Sequence, residues 1–343
     1  MNLKESLSKY PKENLTRTPT PLQHLPHLSD QLGTQIYLKR DDLTDLTLGG
    51  DKPRKLEYEI AQARANGADT LVTCGSTQSN HARLTTAAAR KVGMECSIVL
   101  SHDMWHKING NLLTVYLMGA QVQVVKTEDH WDLEKHALEC CDRLKAKGRN
   151  PHFIPVSGTT PHSCLGYVNC GLEIMQQLDE QDIHLDAVYT PFGTGGIFTS
   201  LMFAMRNNGV RCPFIGISVN RNLTQCRENL DKWWTAISDL LPTGISASMY
   251  PFEIYDGFIG KEYGDPTEAC LDAIVCMAQA EGILLDPVYS GKVASGFLAH
   301  CKEGRWSPEQ SILLLHSGGV PAIFAYHEPI ETHLLKRGIL PAS

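Results

Sequence analysis

The chain has 343 residues, of which 42% are hydrophobic, and a formal net charge of −7. This is enough core material for two domains or one large α/β unit and excludes a disordered chain. The acidic balance, with no Lys/Arg block, argues against nucleic acid; no apolar run reaches the roughly 18 residues of a membrane span, so the expected partner is a small molecule. The opening stretch MNLKESLSKYPKENL has no apolar core of a secretory signal, and the expected location is cytoplasmic. Eleven cysteines lie scattered with no C-x-x-C pair, which reads as buried thiols in a reducing compartment. Among the fourteen histidines, His102 and His106 have i, i+4 spacing but fall in a loop-like segment, so no metal site is expected.

In chain order, short β-branched runs alternate with longer helical patterns. The strands expected are IYLK, TLVTCG, CSIVL, VQVV, HFIPV, AVYTPFG, PFIGISV and SILLLH. Helices are expected at 53–66, 80–92, 110–118, 131–147, 165–179, 196–208, 222–241, 266–281, 291–303 and 319–326. Strands separated by helices imply βαβ crossovers and mostly parallel sheets, with ligands at the carboxyl ends of strands. The helix at 53–66 reads as amphipathic, with Leu56, Ile60 and Ala63 on one face. The one at 80–92 opens on Ser79 and Asn80 and closes at Lys91 and Gly93.

Five turns carry chemistry. In GGDK, Lys52 stands at a helix start, where the macrodipole disfavours its charge; a neutral lysine is a nucleophile suited to a Schiff base, and the alternative is a solvated turn residue. Arg54 and Lys55, if close, would lower the Lys52 pKa further. GSTQSNH offers free N–H groups to a carboxylate or phosphate, or simply caps a helix. GTGG, Gly193 to Gly196 with Thr194, suits a monophosphate, without the full pattern of a nucleotide loop. LDPVYSGK and LHSGGVP place Tyr289 and Ser290, and Ser317, at strand-to-helix turns; Lys292 competes with Lys52 as a reactive amine but ranks lower.

Taken together, YLKRDDLT…GGDKPRKLEY, GSTQSNHARLTTAAARKVGM, NGNLLTVYLMGA, LGYVN, GTGG, LDPVYSGK and LHSGGVPAIFAY resemble the 1-aminocyclopropane-1-carboxylate deaminase and D-cysteine desulfhydrase family over roughly 15–327. These are pyridoxal 5'-phosphate (PLP) enzymes of the tryptophan synthase β-subunit fold group. The resemblance implies two domains, each a mostly parallel twisted sheet flanked by helices: residues 1–52 with 176–343 as the large PLP-binding domain, and 53–175 as the small one. It implies a homodimer, and a cleft closed by domain motion.

By the same resemblance, Lys52 holds the cofactor, Asn80 contacts its ring hydroxyl, Gly193, Thr194, Gly195 and Gly196 bind its phosphate, and Lys55 lies near that phosphate. Ser79, Asn80 and His81 form the substrate carboxylate pocket, with Gln78 and Thr159 as further substrate contacts and Tyr289 beside the reacting carbon. Lys52, Ser79 and Tyr289 are the expected catalytic residues. Ser290 and Ser317 stand where the ring-opening deaminases carry Glu and Leu; a hydroxyl at the ring nitrogen makes a weaker electron sink and favours β-elimination over ring opening.

The expected reaction is D-cysteine to pyruvate, ammonia and sulfide, with L-cysteate sulfo-lyase as the alternative. For a sulfonate, Ser76, Thr77, Gln78, Thr159, Thr160 and His162 are the candidate donors. A ring-opening deaminase, a non-catalytic PLP-binding protein and a nicotinamide oxidoreductase rank below. Asp51 and Pro53 replace the Asn and Thr expected around Lys52, Ile197 replaces a phosphate-binding Thr, and the 157–164 stretch differs from the family's loop. These departures point to an unusual substrate.

Overall fold

The computed structural model describes residues 2–102, 107–127, 130–249 and 251–341. The elements in chain order are α1 (Leu3–Leu7), β1 (Leu22–His24), α2 (Pro26–Leu32), β2 (Gln35–Arg40), α3 (Lys52–Ala65), β3 (Thr70–Ser76), α4 (Asn80–Lys91), β4 (Glu95–Ser101), α5 (Gly110–Leu117), β5 (Gln121–Val125), α6 (His130–Lys145), β6 (Pro151–Ile154) and α7 (Pro161–Gln181). There follow β7 (Ala187–Phe192), α8 (Gly196–Asn207), β8 (Phe214–Ser218), α9 (Leu223–Leu240), β9 (Phe252–Tyr255), α10 (Glu268–Glu281), α11 (Ser290–Lys302), β10 (Ser311–His316), α12 (Ala322–Ala325) and α13 (His327–Lys336).

Two sheets result. One has the order β1-β2-β10-β7-β8-β9, parallel except for the antiparallel edge strand β1; the other, β5-β4-β3-β6, is parallel throughout. Helices cover the faces, so the inner strands are apolar on both sides: β7 and β8 are buried at every position. Four of the five turns singled out above leave the carboxyl ends of β3, β7 or β10 or enter α11, and Lys52 opens α3.

The reading of α3 as amphipathic is corrected. Its charged residues Arg54, Lys55, Glu57 and Glu59 are buried with its apolar ones, because α3 is wedged between α4 and α7. Each has a partner. Arg54 is gripped by Asp41 and Glu173, Glu57 accepts from the Leu15 N–H, and Glu59 binds His152 and Thr160. The Arg54 guanidinium is therefore taken up by Asp41 and Glu173.

Further differences have local causes. The helix expected at 165–179 starts at Pro161, because Thr160 and Ser163 form a reciprocal cap. The helix expected at 319–326 shrinks to α12, since Gly318 and Gly319 hold φ of 85° and 96°. The strand read into HFIPV stops before Pro155. All eleven cysteines are free. Among the described residues no helix is long and apolar enough to cross a membrane. His106 lies outside them.

Candidate active site

Lys52 is the first residue of α3 and is buried; its Nζ forms an ion pair with the Asp51 carboxylate and stands 6.0 Å from the centre of the Tyr289 ring. It lines one pocket together with Asp51, Lys55, the Gly193 to Gly196 loop, Tyr289 and Ser317. The loop leaves β7 and ends at the N-terminus of α8, with Gly195 at φ 87°, a conformation that favours glycine. Its carbonyls are pinned from the side of α9: Trp233 Nε1 donates to Thr194 O and Arg221 Nη1 to Gly193 O, both at 2.8 Å. That leaves the loop N–H groups and the start of α8 for an anion.

Lys55 stands on the other side of this loop. Its Nζ donates to Ser157 O at 2.9 Å and Thr159 Oγ1 at 2.6 Å, and Thr159 in turn meets Thr194 Oγ1 at 2.7 Å. Burial, and then the charge of Lys52, push the Lys55 pKa down to about 7. A methyl group on Gly196 would come within 2.6 Å of Thr159 Cγ2, so glycine is what lets the loop close against Thr159. Glycine N–H groups, a threonine hydroxyl, a helix N-terminus and a lysine bonded to no carboxylate among the described residues make a donor set suited to a phosphate monoester. Ile197 lines the same pocket and adds no hydrogen bond.

A larger cleft of about 680 Å³ opens from Lys52, Thr194 and Tyr289 and reaches Ser76, Ser79, Asn80 and His81. Ser79 caps α4 through the Ala82 N–H at 3.1 Å, leaving the first-turn N–H groups of Asn80 and His81 without helical acceptors. Asn80 Oδ1 accepts from Asn111 Nδ2 at 3.0 Å. Because the Thr73 hydroxyl donates to Ile154 O, it accepts from His81 Nε2 at 2.9 Å. Burial, with Lys52 and Lys55 nearby, holds the His81 pKa well below its usual value and keeps the ring neutral.

Tyr289 is held by a turn that sequence reasoning passed over. The buried Asp286 carboxylate accepts from the N–H groups of Val288, Tyr289 and Ser290 at 2.7 to 2.9 Å. The Tyr289 hydroxyl meets that of Tyr263 at 2.6 Å; burial, then Tyr263, raise its pKa well above 10, so it stays protonated.

Several expected residues are not brought to the site. Ser290 was expected at the cofactor, but its hydroxyl donates to Asp286 Oδ1 at 2.6 Å and accepts from the Asp286 N–H, and it lines neither cavity. Gln78 was expected at the substrate; its Oε1 accepts from Asn111 N instead, and it too lies off the cleft. Thr160 is engaged by Glu59, His162 packs edge-on against Tyr10, and Lys292 donates to Ile259 O. Of the proposed sulfonate donors, Ser76 and Thr159 line the cleft. Missed were Tyr263, Asn220 and Arg221. The last two follow the carboxyl end of β8, a position that could have marked them.

The family model for pyridoxal-phosphate dependent enzymes matches residues 14–318, and the chain belongs to that family. It is 36% identical to a D-cysteine desulfhydrase of Serratia proteamaculans (strain 568) over 335 residues, 96% of this chain and 100% of the relative. It is also 36% identical to one of Salmonella typhi, over 94% of this chain and 98% of the relative. Among solved structures, an ACC deaminase homologue superposes with a TM-score of 0.90 at 34% identity, covering 97% of this chain and 99% of the other. A fungal L-serine ammonia-lyase from Rhizomucor miehei, at 19% identity and a TM-score of 0.69 over 94% and 99%, shares the fold.

Proposed function

We propose that the protein catalyses β-elimination on a sulfur-containing amino acid, converting D-cysteine and water to pyruvate, ammonia and sulfide. The observation that carries this reading is one pocket holding Lys52, the glycine-threonine phosphate cradle and Ser317, with the carboxylate-binding turn of α4 at the adjoining cleft. The near full-length similarity to D-cysteine desulfhydrases supports it.

PLP bound here supplies a carbonyl that condenses with the substrate amine and withdraws electrons from the α-carbon. Lys52 would hold it, with Gly193 to Gly196, Thr194 and Lys55 on its phosphate and Asn80 beside the ring. Ser317, lining the same pocket, would supply a hydroxyl and not a carboxylate to the cofactor's ring nitrogen, which suits loss of a good β-leaving group. Ser79 and the N–H groups of Asn80 and His81 hold the substrate carboxylate. The Lys52 amine, ordered by Asp51, would take the α-proton. Tyr289, fixed by Asp286 and Tyr263, gives a proton to the departing sulfur. The released enamine hydrolyses to pyruvate and ammonia.

We read the two sheets as two domains, 1–52 with 176–343 and 53–175. The four-stranded sheet lying wholly inside the second span supports this. We also read the enzyme as a cytoplasmic homodimer. The free cysteines suit a reducing compartment, and Leu113, Tyr116 and Leu117 expose one apolar face of α5 beside exposed Phe324 of the contacting α12. The test is pyruvate and sulfide release by the PLP-loaded protein given D-cysteine and L-cysteine separately. Equal pyruvate and sulfide from D-cysteine supports the reading; neither product from D-cysteine sinks it.

A further inference from the structure

We propose that Arg221, flanked by Asn220 on the wall of the cleft beside Tyr289, forms a subsite for an anionic group on the substrate's β-carbon, a sulfonate foremost. This rests on the β-elimination reading and extends it to substrates with an anionic group on the β-carbon.

Arg221 follows β8 and lines the cleft together with Asn220, Tyr263 and Tyr289. Its Nη1 donates to Gly193 O at 2.8 Å and to Asn220 Oδ1 at 3.0 Å. Gly193 in turn abuts Tyr289: a methyl group there would lie 3.7 Å from Tyr289 Cε1. The guanidinium is thus anchored one residue from the phosphate loop's threonine and next to the phenol that faces Lys52.

What marks Arg221 is that it lines the cleft with hydrogen bonds at Nη1 alone and no carboxylate among the described residues paired with it. Buried Arg54 has Asp41 and Glu173, and Arg305 has Glu253. Arg83, which also lacks a carboxylate, has all its nitrogens engaged by Asn111 and the carbonyls of Thr47 and Gly49. Among the described residues Arg221 has no carboxylate partner, and its Nε and Nη2 carry no hydrogen bond. Glu134 and Glu228 line the same cleft without pairing with it; Glu134 Oε1 accepts from the Val156 N–H. Burial lowers the Arg221 pKa, and no carboxylate offsets it. A partly desolvated guanidinium with two free donors in a fixed fork is a receptor for a planar or tetrahedral oxyanion.

The chemistry balances without a further reactant. With cysteate, Lys52 takes the α-proton, the Cβ–S bond breaks with its electron pair leaving on sulfur as sulfite, and water converts the enamine to pyruvate and ammonia. Arg221 would hold the oxyanion in the ground state and as it departs.

The test uses the PLP-loaded enzyme with Arg221→Gln, which can still donate to Gly193 O but lacks the charge, and Arg221→Lys, which keeps the charge. Calorimetric binding of 3-sulfopropanoate and propanoate, neither of which has an amine, isolates the subsite from the chemistry. The wild type should bind the sulfonate about tenfold to a hundredfold more tightly than propanoate, Gln should erase that preference and Lys should keep part of it. In turnover, kcat/KM of Arg221→Gln should fall at least about tenfold more for cysteate than for β-chloroalanine of the same configuration. Equal binding of the two acids by the wild type, an unchanged preference in Gln, or an equal loss for both substrates would overturn the subsite. Failure of the wild type to make pyruvate from any of D-cysteine, β-chloroalanine or cysteate defeats the reaction reading instead, and the binding arm still decides the subsite.

Discussion

The hydroxyl oxygens of Tyr263 and Tyr289 lie 2.6 Å apart, and the ring of Tyr289 faces Lys52 Nζ across 6.0 Å. The pair sets one phenol between the proposed base and the cleft that takes the substrate's side chain, while the other orients it. Because Tyr289 is the nearer to Lys52, Tyr289→Phe should lower kcat for D-cysteine by about a hundredfold or more, the range of a lost proton donor. Tyr263→Phe removes the bond that orients Tyr289 and should cost less. Steady-state kinetics on both variants, with cofactor content matched by absorbance, checks the order; a larger loss in Tyr263→Phe would reverse the roles.

Lys55 makes a prediction about pH. Its pKa in the folded protein, about 7, lies below the ordinary lysine value of 10.5. Below about 7 both folded and unfolded states carry the charge, and burying it weakens the fold in full; as pH rises from about 7 toward 10.5 the unfolded chain binds more protons and the fold gains. In cofactor-free protein, Lys55→Met should therefore raise the melting temperature over wild type most below pH 7, and the gain should shrink toward pH 10. With PLP present the phosphate uses that charge, and the same variant should bind PLP about tenfold more weakly. Melting curves across pH, with and without PLP, separate the two effects.

Gly166 lies where α7 crosses α3. A methyl group there would fall 2.1 Å from the Arg54 carbonyl oxygen, which is backbone and cannot step aside. Gly166→Ala should thus push α7 off α3, moving Lys52 and Lys55 on the first turn, and cost about 1–3 kcal/mol as overpacking does. Urea unfolding together with PLP affinity checks it. Full stability and unaltered affinity would mean that the two helices slide apart freely.

Much of this was legible in the sequence, for physical reasons. Doubly covered parallel strands such as β3 and β7 are short runs of β-branched and apolar residues, and helix caps such as Ser79 announce themselves. The turns holding Lys52, Ser79 to His81, Gly193 to Gly196, Tyr289 and Ser317 stood out because glycine and small hydroxyl residues at strand-to-helix junctions have few other uses. Strands β1 and β9 did not, being three and four residues long at sheet edges where only one neighbour fixes them. Ser290 and Gln78 went astray because sequence shows that a polar residue sits at a turn and hides which way it points; Asp286 and Asn111 claim them. Arg221 escaped notice because its significance is the lack of a carboxylate paired with it among the described residues, a property of the fold alone.

The most direct test of the central claim is Lys52→Ala, assayed with D-cysteine for pyruvate and sulfide and scanned for the visible band of covalently held PLP. Loss of both the products and the band, with PLP retained noncovalently at the Gly193 to Gly196 cradle, is the predicted result. Undiminished pyruvate and an intact band would contradict the account and move the reactive amine to another lysine, with Lys55 the nearest candidate.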